Sequence, residues 1–545
     1  MDVLSRPFSH LGHCHLDKSL GWKTTEINTG TIYCKHNAEC ICSTLSNVDV
    51  DTFEFIKETK LISNSGSYII ETDANVYASI DSFQTNTVSY IHSQGYFRIS
   101  NNAVFLSKLS NYRQTNILGT LEFLTAGHTV GNSTLLESLF TLNPGQYLVY
   151  CKATNKLNVA SYHEYPLLFK ADNSYSSSSG DTLDLLSAGL HETLEANKDR
   201  QLVIPLRGTV SEALLLSIIK QINISNVVSA TLDVFRGKGS NYLTKYAKCL
   251  GIPTLCFRTS RKSLRRHYFT QDRKLAFEFA SGLNANPDYI DYELVKCLRD
   301  DKSIVDDALI LDASYTSLLP GNTTVTTDTI FGHEPNDSLT QFVEKYFSLW
   351  PHLTPIFLEL VKHRGTEYLS RDFLQQFEHL DAAFRFWEWR ETLPKTQGAT
   401  NRFYEYFHFQ YLRPFDSCKV PIDFQTPRVD PLSLIHSFDS TGCDKSILSE
   451  LSRLNPSQPL VSNRGHSFPY VEPSRRNNII HDYFSYFMPS KKQLSQYGWK
   501  YYLLNYRKVQ DRQACAFSGR FLLDELDILG FPQEHLPAII TDNFS

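Results

Sequence analysis

Apolar and polar residues follow two different rhythms along this chain. In the stretch Gly66–Ile80 (GSYIIETDANVYASI), two short apolar runs flank Thr72-Asp73-Ala74-Asn75, which predicts two strands and a tight turn. Ser89–Ser100 (SYIHSQGYFRIS) repeats the design with a turn at Ser93-Gln94-Gly95, and Gln146–Val159 (QYLVYCKATNKLNV) repeats it again around Thr154-Asn155. A short helical passage is expected between them, over Ile117–Phe140. Up to about residue 170 the pattern is therefore β-rich. It predicts a sandwich of antiparallel sheets with helices outside.

The rhythm breaks at Asn173–Gly180 (NSYSSSSG), which has no apolar period and sets an expected boundary between units 1–172 and 181–545. Thr182–Asn197 then has helical periodicity. Gln201–Pro205 (QLVIP) is a short apolar run of the kind found in buried parallel strands. A loop at Leu206–Val210 leads to a helix from Ser211, with Ser211-Glu212 as start signals. Val227–Leu232 reads as a strand, Tyr242–Leu250 as a helix, Gly251–Pro253 as a turn and Thr254–Phe257 as a third strand. That alternation predicts a doubly wound parallel α/β sheet. From about 265 to 530 the chain reads as mostly helical and rich in aromatics.

Composition narrows the function classes. At 545 residues two or more domains are expected. Hydrophobic residues at 41% and charged residues at 20% are ordinary for a globular protein, and a formal charge of −5 argues against a nucleic acid or an anionic membrane held by bulk charge. The basic run Arg258–Arg266 (RTSRKSLRR) is local and reads as a solvated helix start or loop. No run approaches the roughly 18 apolar residues of a membrane helix, and no secretory signal is visible at the start. Eleven scattered cysteines fit reduced thiols in a cytoplasmic protein. His10, His13, Cys14 and His15, with Cys34, His36, Cys40 and Cys42, form a cluster, but its spacing fits strand cysteines better than paired zinc ligands.

These segments, taken together, resemble the asparagine synthetase family, a class II glutamine amidotransferase-like domain joined to a pyrophosphate-loop synthetase domain. In the first unit the resemblance rests on Gly66-Ser67-Tyr68, Asp81, Ile99-Ser100 and Phe123–His128, followed by Ser133-Thr134-Leu135 and Leu142–Gly145. In the second, Val203–Glu212 (VIPLRGTVSE) stands where the family writes L-S-G-G-x-D-S, and Lys245–Pro253 (KYAKCLGIP) resembles its A-x-x-L-G-I-P segment. Lys395, Arg402, Tyr404 and Glu405 fall on a pattern of the subgroup found in surface-polysaccharide gene clusters. The resemblance implies an N-terminal-nucleophile-type sandwich followed by an adenine-nucleotide α-hydrolase-like parallel sheet with a helical extension.

Most of the chemistry that the resemblance brings with it is missing. The family hydrolyses glutamine with an N-terminal cysteine, whereas position 2 is Asp2 and the nearest cysteine, Cys14, has no free amine to serve as base. The loop equivalents are Leu206, Arg207, Gly208, Thr209, Ser211 and Glu212, and of the positions that would meet phosphate or metal Gly208 alone keeps its place. Thr209 hinders backbone approach to phosphate, and Ser211 replaces the magnesium-binding Asp. The family's second metal turn falls near Leu309–Ser317, where Asp312 is the available carboxylate. The expectation is a pseudo-synthetase that binds a ligand or partner, such as a related enzyme or a second copy. The alternative is an amine- or ammonia-using ligase with ATP and Mg²⁺, in which Arg207 and Asp312 serve phosphate and metal and Lys395 and Glu405 are catalytic.

Overall fold

The computed structural model describes residues 8–35, 67–162, 190–259, 267–313, 335–361, 371–414 and 522–526, with short interruptions inside these ranges. Asp2, the Asn173–Gly180 boundary, His36, Cys40, Cys42, residues 182–189 of the expected helix Thr182–Asn197, residues 260–266 of the basic run and residues 314–317 of the expected second metal turn lie outside the described residues.

Among the described residues the first unit holds these strands: β1 (Phe8–Leu11), β2 (Cys14–Asp17), β3 (Lys23–Ile27), β4 (Gly30–Lys35), β5 (Ser67–Thr72), β6 (Asn75–Ser79), β7 (Ser89–Ser93), β8 (Tyr96–Ser100), β9 (Leu139–Thr141), β10 (Gln146–Cys151) and β11 (Lys156–Ser161). They form one sheet ordered β1-β2-β8-β7-β9 and another ordered β11-β10-β6-β5-β4-β3. Pairing is antiparallel throughout except between β2 and β8. All three hairpins read from the alternation are present. The sheets meet where Phe97 of β8 stacks on Tyr150 of β10, with ring centroids 4.1 Å apart. Helix α1 (Ala103–Ser110) lies against the first sheet and is followed by α2 (Ile117–Ala126). The helical passage expected through Phe140 is shorter than its sequence suggested. It stops at Gly127, whose φ of 83° caps the helix in the left-handed region, and residues 139–141 form β9 instead.

In the second unit, β12 (Leu202–Pro205), β13 (Val227–Leu232), β14 (Thr254–Phe257), β15 (Leu309–Leu311) and β16 (Gln410–Leu412) form a parallel sheet ordered β14-β13-β12-β15-β16. Its helices are α3 (Val210–Ile222), α4 (Lys238–Cys249), α5 (Gln271–Ser281), α6 (Tyr289–Asp300), α7 (Pro335–Tyr346), α8 (Arg371–Leu374), α9 (Leu380–Trp387) and α10 (Leu393–Tyr406). Successive strand residues point to opposite faces. Leu202, Ile204, Leu309 and Leu311 therefore pack with residues of α3 and α4, while Val203 and Ile310 enter the other face's core with residues of α5, α6 and α10. That second core continues without a break into the β-rich unit, taking in Ile69, Phe97 and Leu148. The structure is thus a mixed α/β fold with antiparallel sheets and a parallel sheet. No helix among the described residues is long and apolar enough to cross a membrane.

Candidate functional site: a self-filled loop at the sheet's switch point

The strand order reverses between β12 and β15, so the loops leaving these two strands open side by side at their carboxyl ends. Leu206–Thr209 follows β12 and Asp312 follows β15. This topology brings together two of the residues read from sequence, Arg207 and Asp312.

The loop begins with Leu206 anchored to β13, its N–H donating to the Ala230 carbonyl at 2.7 Å and its own carbonyl accepting from Thr231 Oγ1 at 2.9 Å. Gly208 has a φ of 106°, a conformation that a side chain would strain, which accounts for the one retained glycine. Thr209 caps α3 and Glu212 reaches back, completing a T-x-x-E capping box. The helix therefore starts at Val210 rather than Ser211, because the cap is Thr209 and not the Ser211-Glu212 pair.

Glu212 goes beyond capping. Its Oε2 accepts from the backbone N–H groups of Arg207 (2.9 Å), Gly208 (2.9 Å) and Thr209 (3.1 Å). Converging N–H groups of this kind form an anion cradle, and here the anion is the protein's own carboxylate. Burial pushes the Glu212 carboxyl up to about 7, against the pull of Arg207 and the three N–H donors.

The Arg207 side chain lies between two carboxylates. Its Nε donates to Asp291 Oδ1 at 2.7 Å, and one terminal nitrogen donates to Tyr404 Oη at 3.0 Å and lies 3.5 Å from Asp312 Oδ2. Tyr404 donates to the same Asp312 oxygen at 3.1 Å, as does Gln397 at 3.2 Å, and Thr400 donates to the other Asp291 oxygen at 2.9 Å. Burial works against the Arg207 charge, but Asp291 with Tyr404, Asp312 and Glu212 holds the guanidinium well above its ordinary value. A divalent cation bridging Asp291 and Asp312 would coincide with this guanidinium. A phosphate in the loop would compete with Glu212 for the same three N–H groups. The residues present do not fit a magnesium–nucleotide complex.

Lys395 and Glu405 lie elsewhere. Gln397, Thr400 and Tyr404 share the face of α10 that meets Arg207, whereas Lys395 and Arg402 share another. Lys395 Nζ donates to Glu391 Oε2 (2.5 Å) and to the carbonyls of Thr129 (2.7 Å) and Gly131 (2.9 Å) in the β-rich unit. Arg402 donates to the Ala280 carbonyl (2.6 Å) and Thr87 Oγ1 (2.8 Å). Glu405 is half-buried and ten positions beyond Lys395, about 15 Å along the helix axis. Ser211 is buried in the first turn of α3. The two acids that complete the clusters, Asp291 and Glu391, carry no motif that would single them out in the sequence.

Of the Cys/His cluster, Cys14 and Cys34 are buried strand residues, as their spacing suggested. Burial and the neighbouring Glu71 carboxylate hold the Cys14 thiol well above its usual value, so it is not presented as a nucleophile. No group of three or more His, Cys, Asp or Glu arranged for a metal ion occurs among the described residues.

No protein-family profile and no curated protein matches this chain. Among solved structures it is similar to glutamine phosphoribosylpyrophosphate (PRPP) amidotransferase from B. subtilis complexed with ADP and GMP, at 11% sequence identity over 57% of this chain and 67% of that one, with a TM-score of 0.15.

Proposed function

We propose that this chain is a pseudo-synthetase: an asparagine-synthetase-like protein, its first unit glutaminase-like and its second synthetase-like, that has left ATP-dependent chemistry and acts by binding a partner or ligand. One observation carries the reading. The cradle of the loop and the space between Asp291 and Asp312 are both filled by the chain's own charges, Glu212 and Arg207, with hydrogen-bond partners already in place. The partner proposed is a related intact enzyme or a second copy of this chain, and its place of action the cytoplasm.

Calorimetric titration with ATP and Mg²⁺ tests this. A charge-assisted hydrogen bond to phosphate is worth about 1.5–3 kcal/mol, and two or more such interactions of an intact loop have no counterpart here. Affinity should therefore lie at least about two orders of magnitude below that of an intact site. No saturable heat below millimolar nucleotide is the expected result. Micromolar binding, or pyrophosphate release that depends on an added carboxylate, would overturn the reading in favour of an active amine-using ligase.

A further inference from the structure

We propose that Glu122, Glu391 and Lys395 form a proton-dependent latch that holds the β-rich unit against the α/β unit through the turn Thr129–Gly131. Three ionisable side chains grip this turn by its backbone. Glu122, on α2 of the same unit, accepts from the Val130 N–H at 2.8 Å. Glu391 accepts from the Gly131 N–H at 2.8 Å, and Lys395 donates to the carbonyls on either side of Val130. The turn is tied further to the α/β unit by Thr129 N–H donating to the Asn284 carbonyl at 2.9 Å.

All three side chains are buried, with relative exposures of 2% or less. The Lys395 ammonium contacts Glu391 directly, and Glu122 holds the same turn from its other side in a site closed to water. Among the described residues, the other charged or titratable groups facing them are Arg390, whose Nε lies 3.6 Å from Glu391 Oε1, and His128, whose ring Nδ1 lies 2.9 Å from the Thr129 carbonyl. Glu391 Oε1 makes no hydrogen bond to any described residue. Burial raises the Glu122 carboxyl to about 8, against the Val130 N–H and Lys395, while Glu391 pushes it further up. At neutral pH the Glu122 carboxyl is therefore held mostly in its neutral form.

The sign of the pH dependence follows. A carboxyl group whose value is higher in the closed than in the open state favours closure fully below the ordinary carboxylate value, and this advantage is lost as pH climbs towards about 8. Burial lowers Lys395, which acts in the opposite sense between its lowered and its ordinary value.

Hydrogen exchange of the full chain, read by mass spectrometry on a peptide covering residues 127–135, measures the opening. After correction for the intrinsic rate, protection should fall by up to about tenfold per pH unit between pH 6 and 8, where opening releases a proton, and then level off. A peptide over residues 67–79, in β5 and β6, serves as the reference and should not follow. Glu122→Gln should abolish the slope. Constant protection from pH 6 to 8 in the unaltered chain would overturn the proposal, and needs no variant that might misfold. A slope persisting in Glu122→Gln would overturn it too.

Discussion

Two buried carboxylates, Asp291 and Asp312, share the guanidinium of Arg207. Arg207→Met keeps most of the side-chain volume and removes the charge, so both acids would be left in a site with almost no water. Breaking a buried pair in this way costs about 3–5 kcal/mol, and thermal or urea unfolding should show a loss of that order. A loss under about 1 kcal/mol would mean that the guanidinium is not what stabilises the acids. Arg207 is legible in the sequence because it stands in a recognisable loop. Asp291 is not: it lies 84 positions away and reads as an ordinary acid in the first turn of a helix, where the helix dipole favours negative charge. Lys395 is legible as a residue but not as a role. Two of its three partners are backbone carbonyls, which leave no mark on side-chain patterns.

At the level of elements, the cap of α3 and the entry to α10 decide where the site's side chains point. Thr209→Ala removes the cap and half of the box, with an expected cost of about 1 kcal/mol in unfolding free energy. Full retention of stability would show that Glu212 alone organises the helix start. The signal Thr209-x-x-Glu212 is present in the sequence, but Ser211 two positions on is an equally ordinary cap residue and competes with it. The entry to α10 has no such signal. Pro394 has no N–H to donate back along the helix, and the turn before it widens into a π-helical segment, Glu388–Thr392, in which Leu393 N–H reaches the Glu388 carbonyl. Glu391, on this wide turn, faces the β-rich unit with Lys395. Nearby, Gly282 has a φ of 54°, and a Cβ there would sit 2.8 Å from the Arg402 guanidinium. Gly282→Ala should cost about 1–3 kcal/mol through backbone strain alone, and should do so in the same denaturant titration. A neutral result would mean that the backbone at this position relaxes out of the left-handed region as Arg402 moves aside.

For the whole molecule, the three parallel strands β12, β13 and β14 are readable as short apolar runs bounded by turns, and two of the three match residue for residue. Strands β15 and β16 are not, since each is three residues long and carries too little pattern to separate from a helical surrounding. The chain's last described residues are part of the same core. Leu522 and Leu523 are fully buried in it, and Glu525 accepts from both terminal nitrogens of the buried Arg273, at 2.8 and 2.6 Å. A chain ending at residue 520 loses two buried leucines, each worth about 1.5–3 kcal/mol, and leaves Arg273 without its carboxylate. That loss is comparable with the roughly 5–15 kcal/mol that holds an ordinary domain folded. Circular dichroism should therefore show no cooperative melt, and a melt within a few degrees of the full chain would refute the dependence. The grip on the Thr129–Gly131 turn carries one more consequence, for synthesis. Thr129 and Lys395 are 266 positions apart. At a ribosomal rate of roughly 5–20 residues per second, the turn emerges on the order of 15–50 s before its clamp exists. Over that interval the nascent β-rich unit keeps one face of its core uncovered, which makes it a client for whatever chaperone meets the chain at the exit tunnel.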